Sequence, residues 1–108
     1  MRRTRSVIAV AMAVAALGAA SARAEGSIQR RRDNQQWRIA QGVASGQLTA
    51  RETARLEGRE AALNREERAM RAAGGGRLTA GDRAVIGRRQ DRLSAGIARL
   101  KHNAYRRR

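Results

Sequence analysis

The sequence predicts an all-α protein, with three helices arranged as two repeated helix–loop–helix units (α-hairpins) around a thin core. Two observations carry that expectation. One turn is written twice, as SGQLTARE at 45–52 and as GGRLTAGD at 75–82. Between and beyond the turns, apolar residues recur at helical spacing rather than in alternation.

At an offset of thirty residues the chain matches itself at Arg38/Arg68, Gly46/Gly76, Leu48/Leu78, Thr49/Thr79, Ala50/Ala80, Ala54/Ala84, Arg59/Arg89 and Leu63/Leu93. Glu52/Asp82 and Leu56/Ile86 are near-matches. The copies cover about 38–67 and 68–97. Two copies are too few for a solenoid and suit a pair of helix–loop–helix units.

Each copy reads as stop, turn, cap, start. Gly46 and the run 74–76 can take the left-handed backbone that ends a helix. Thr49 and Glu52 then form a T-x-x-E capping box, in which each residue satisfies an amide at the new helix start. Thr79 and Asp82 form a shorter-armed version, with the acid still well placed against the helix dipole.

The helices so punctuated span about 28–44, 50–72 and 80–104. In the third, Ile86, Leu93, Ile97, Leu100 and Ala104 fall within about 40° of one direction. Arg88, Arg92, Arg99 and Arg106 gather on the opposite side. The second has a thinner stripe at Leu56, Leu63 and Met70, with Arg51, Arg55 and Arg59 along another face. For the first, Ile28, Trp37, Ala40 and Val43 or Ala44 are the expected inward residues, with Trp37 as a core anchor.

Residues 1–24 read as a cleaved export signal. Arg2, Arg3 and Arg5 precede a fourteen-residue apolar run at 7–20, and Ala22 and Ala24 sit at the small positions of an A-x-A cleavage site. The run falls short of the about 20 residues a bilayer span needs. The expected destination is the bacterial periplasm or the medium, by general secretion, with residues 25–108 as one mature helical domain.

Removing the four arginines of 1–24 from the formal +15 leaves the mature chain at +11. There is no cysteine to form a disulfide, and Leu, Ile and Val together number twelve after residue 24. That is below the roughly one-fifth share under which high net charge begins to favour disorder. A marginal or elongated fold, stabilised by a partner or by self-association, is the expectation.

The repeated turn also has the shape of an EF-hand loop. Glu52 and Asp82 would fall at its twelfth position. Calcium needs oxygen ligands at positions one, three and five, where the chain offers Gln41, Val43 and Ser45, then Arg71, Ala73 and Gly75. The shape is present without the metal chemistry, so no metal and no cofactor are expected. Should a degenerate calcium site exist, Glu52 and Asp82 would be its carboxylates.

Catalytic constellations lack parts. His102 is the single histidine and there is no cysteine, so nucleophile–base pairs cannot be assembled, and no enzyme is expected. Arginine is the one abundant functional group. Arg51, Arg55, Arg59, Arg88, Arg92, Arg99 and Arg106 are the candidates for binding an anion or an acidic partner. Nucleic acid is disfavoured by export and by having only Trp37 and Tyr105 to stack bases.

The two boxes, with Lys101–Asn103 as a late K-H-N, resemble a group of small exported bacterial proteins that carry two G-x-L-T-x-x-E repeats. Here these repeats are 46–52 and 76–82. More distantly, the boxes are similar to the paired L-T-x-x-Q motifs of the Spy/CpxP periplasmic proteins, with Glu52 and Asp82 replacing the glutamines. That resemblance implies an all-helical, basic, cofactor-free chaperone or stress regulator that forms a homodimer. The functional expectation is therefore a non-enzymatic binding protein, chaperone-like or an envelope-stress adaptor, with protein clients. The alternative is a basic binder of anionic envelope lipid or lipopolysaccharide.

Overall fold

The computed structural model describes the backbone of residues 2–107 and the side chains of residues 22–104. The fold is all-α: α1 spans Arg2–Ala44, α2 Ala50–Ala73 and α3 Ala80–Arg107. Helices α2 and α3 begin right after Thr49 and Thr79. Helix α1 differs from expectation, because it runs on from Arg2 instead of starting near residue 28. Its N-terminal half is rich in alanine, the best helix former, and contains no proline to stop it. The side chains of the apolar run at 7–20 lie outside the described residues.

Side-chain contacts give the helix directions. Arg71 pairs with Glu25 at 3.1 Å, Arg32 pairs with Glu67, and Gln36 donates to Glu57 at 3.4 Å, so α1 and α2 are antiparallel. Arg89 pairs with Glu66, and Arg59 Nη1 lies 3.4 Å from where a Cβ at Gly96 would be, so α2 and α3 are antiparallel in turn. Arg31 pairs with Asp91 and Arg38 donates to the Ser94 carbonyl at 3.2 Å, so α1 and α3 are parallel. The result is an up-down-up bundle of three helices.

The core is split in two. Towards the 45–49 loop, Ile39, Leu48, Leu56, Leu93 and Ile97 pack together, with Leu100 against them. Towards the 74–79 loop, Ile28, Leu63, Leu78 and Ile86 pack together, with Met70 alongside. Each fully buried Leu or Ile contributes about 1.5–3 kcal/mol. The last residue of each loop pattern before the cap, Leu48 or Leu78, is thus a plug that ties its turn to the core.

Gly42 makes the first plug possible. A Cβ there would lie 2.6 Å from Leu48 Cδ1, while the Leu48 amide donates to the Gly42 carbonyl at 3.0 Å. Gly46 in the first turn and Gly75 and Gly76 in the second have positive φ, at 76°, 67° and 93°.

Three polar side chains separate the two apolar clusters. Gln35 on α1, Glu60 on α2 and Gln90 on α3 are all buried. In every helix this polar residue falls between a residue of one cluster and a residue of the other. The Gln35 amide donates to the Gln90 carbonyl at 2.8 Å and to Ser94 Oγ at 2.7 Å. The Gln90 amide donates to the Ile28 carbonyl at 3.0 Å.

The inward face of α1 corrects the expected one. Trp37 is 62% exposed and Val43 50%, and Ala40 and Ala44 are exposed as well. Ile28, Gln35, Ile39 and Gly42 face inward in their place. At 100° per residue Trp37 lies roughly 160° from Gln35, on the far side of the helix. A hydrophobicity pattern passes over Gln35 and Gly42, so the stripe they complete with Ile28 and Ile39 is hard to see.

Candidate anion-binding surface

The two turns form the helix starts with matching geometry. Thr49 Oγ1 accepts from the Glu52 amide at 3.1 Å, and Glu52 accepts from the Thr49 amide at 2.9 Å. Thr79 Oγ1 accepts from the Asp82 amide at 3.0 Å, and Asp82 accepts from the Thr79 amide at 3.0 Å. Both carboxylates are therefore directed at their own caps. Among the described residues no three His, Cys, Asp or Glu side chains converge on a point where a metal could sit. His102 is exposed, outside any such group.

Four arginines are ion-paired among the described residues, and the candidates are not among them. Arg31, Arg32, Arg71 and Arg89 lie on the helix seams and pair with Asp91, Glu67, Glu25 and Glu66. Glu67 accepts from both Arg32 and Arg71, which bridges α1 to α2. Arg51, Arg55, Arg59, Arg88, Arg92 and Arg99 are all exposed, and none of them takes part in an ion pair among the described residues. The side chain of Arg106, the seventh candidate, lies outside the described residues.

Helix–helix packing places two of the unpaired set together. Arg59 from α2 and Arg92 from α3 line one groove with Arg89, Ala62, Leu63 and Leu93. Its volume is about 390 Å³. Arg51, Arg55, Arg88 and Arg99 do not line it.

Sequence reasoning missed the buried polar layer. Glu60 follows Leu56 by four residues and precedes Leu63 by three, and Gln90 stands likewise between Ile86 and Leu93. That shared register, one heptad with a polar centre, was the available signal. Burial raises the Glu60 pKa above the ordinary glutamate value; the Arg32 guanidinium opposes the rise and Glu57 adds to it.

No protein-family model, curated protein or solved structure matches this chain. Fold and surface define its class: a three-helix bundle whose paired arginines fasten the helices and whose six described candidate arginines face solvent. Among the described residues no helix is long and apolar enough to cross a membrane.

Proposed function

We propose that the protein is a non-enzymatic helical binding protein of the bacterial envelope that holds anionic partners through its unpaired arginines, anionic envelope lipid or lipopolysaccharide foremost. The observation that carries this reading is the division of the arginines. Among the described residues eight exposed guanidiniums on α2 and α3, the six candidates with Arg65 and Arg68, are left outside the ion pairs, on a mature chain of net charge +11. A guanidinium suits a phosphate because its planar fork donates two parallel hydrogen bonds. The export pattern of residues 1–24 supports an envelope location.

Co-sedimentation with phosphatidylglycerol vesicles tests the proposal. Binding is expected at low salt, to weaken steeply as ionic strength rises, and to be absent on phosphatidylcholine. Reversing Arg88, Arg92 and Arg99 to Glu together should abolish it. Equal binding to neutral and anionic vesicles would sink the reading.

A chaperone-like role is the second reading, and Trp37 favours it as a large apolar side chain exposed on α1, on the side shared by the exposed Ala40 and Ala44. The stripes of α2 and α3 that would otherwise hold a client are inside the bundle. Suppression of client aggregation should therefore depend on Trp37, and light scattering with Trp37→Ala checks this.

A further inference from the structure

The thirty-residue relation between α2 and α3 holds across their groove at two pairs and breaks at two others, Ala62/Arg92 and Glu66/Gly96. Arg59 corresponds to Arg89, Leu63 to Leu93 and position 66 to position 96. Since the helices are antiparallel, the contact that Arg89 makes with residue 66 is mirrored by the contact of Arg59 with residue 96. On one side Arg89 meets Glu66 and is neutralised. On the other, residue 96 is Gly, and the Arg59 Nη1 atom lies 3.4 Å from where its Cβ would be. Arg59 reaches across to α3 as its counterpart reaches to α2, and finds no carboxylate.

Arg92, also outside the ion pairs, lines the same groove, and Leu63 and Leu93 belong to its lining as well. The groove volume of about 390 Å³ is within the roughly 300–1,000 Å³ of small-molecule sites. We propose that this groove binds a single-chain lipid anion, its phosphate or carboxylate head held by Arg59 and Arg92 and its acyl chain laid over Leu63 and Leu93. Charge complementarity selects the head, since two guanidiniums outside the ion pairs line one groove. Arg89 does not compete for it, because Glu66 occupies it. The leucines in the lining distinguish a lipid from a free anion. This site rests on the reading of the unpaired arginines as anion-binding, and adds to it one defined place and one ligand class.

The test is calorimetric titration of the full chain with decyl phosphate, below the concentration at which it forms micelles, and with inorganic phosphate. Saturable one-to-one binding of decyl phosphate is expected, with inorganic phosphate at least about tenfold weaker. Arg59→Gln should weaken decyl phosphate by about tenfold or more, as loss of a charged hydrogen bond does. Gly96→Glu is the sharper variant, since it restores the carboxylate that Glu66 supplies on the other side. It should abolish binding while the melting temperature holds or rises, because glycine is the poorer helix former. If Gly96→Glu fails to fold, Arg59→Gln and Arg92→Gln, both surface changes, carry the test alone. Unchanged affinity in these variants overturns the site, as does inorganic phosphate binding as tightly as decyl phosphate. Phosphatidylglycerol vesicles run in parallel separate the two readings. Vesicle binding without saturable decyl phosphate binding removes the groove alone; the reverse keeps the groove and removes the wider surface.

Discussion

Glu60 on α2 and Gln90 on α3 occupy corresponding places thirty residues apart, and both are buried, at 2% and 1% exposure, in the layer that separates the two halves of the core. Gln90 uses its amide on the Ile28 carbonyl, whereas Glu60 has no amide to donate. Within the described side chains, Gln35 Oε1, Glu60 Oε1, Gln90 Oε1 and Asn64 Oδ1 are buried acceptors without a hydrogen-bond donor. A set of acceptors without donors is a costly arrangement, and a proton on Glu60 relieves it.

Glu60→Gln should therefore stabilise the protein at neutral pH. Burial, partly offset by Arg32 and reinforced by Glu57, raises the Glu60 pKa, so the folded state holds the proton more tightly than the unfolded chain. The stability linked to that proton is fully present below the ordinary glutamate value and is lost as pH rises through the raised one. Thermal melts at about pH 4 and about pH 8 check this. Glu60→Gln should melt higher only at the upper pH, by several degrees for each kcal/mol gained. A gain of equal size at both would show that ionisation is not the cause.

Removing either cap should weaken its helix by a similar amount. Thr49→Ala and Thr79→Ala each delete an acceptor 3.1 or 3.0 Å from a helix amide, so a loss of about 1 kcal/mol apiece is expected. The boxes lie at opposite ends of the bundle, and the double variant should lose the sum. Urea titration measures it; an effect at Thr49 alone would mean that the Thr79 hydroxyl contributes nothing to its cap.

Two helical glycines should respond to alanine with opposite signs. Nothing lies within 4 Å of a Cβ at Gly58, so Gly58→Ala should gain about 1 kcal/mol from helix propensity. At Gly42 the new methyl meets Leu48 Cδ1 at 2.6 Å and Cγ at 2.7 Å, and the plug must shift. Overpacking costs about 1–3 kcal/mol, more than the propensity gain in most of that range, so Gly42→Ala should melt lower than the parent.

Trp37 should report solvent in the native state. At 62% exposure its emission should change little on unfolding in urea and should be quenched by acrylamide under native conditions. Trp37→Ala should alter stability by less than about 0.5 kcal/mol. A large red shift on unfolding would return the residue to the core.

Much of this fold was legible because its punctuation is local. A Thr, an acid three residues on and a glycine before them set where α2 and α3 begin, and the Leu56–Leu63 and Ile86–Leu93 stripes set which sides meet. The inner face of α1 was illegible because two of its four inward residues, Gln35 and Gly42, carry no hydrophobic signal. Gln35 is selected by the carbonyl of Gln90 and Gly42 by the bulk of Leu48, both partners that exist only once the chain has folded. For the arginines, the six periodicity-derived candidates with described side chains are all exposed. Periodicity could not distinguish those facing open solvent from Arg59 and Arg92, which share a groove, because that depends on where α3 lies against α2.

The seam pairs and the unpaired arginines respond to the same ions, and this couples the fold to what it binds. The unpaired set loads a small bundle with like charge, and self-repulsion of that kind works against the compact state. An anionic partner that neutralises those guanidiniums removes the repulsion at the moment it binds, so affinity and stability rise together by mass action. A bundle with so little apolar material is then at its firmest when occupied, and its tendency to unfold becomes a measure of how much of its partner is within reach.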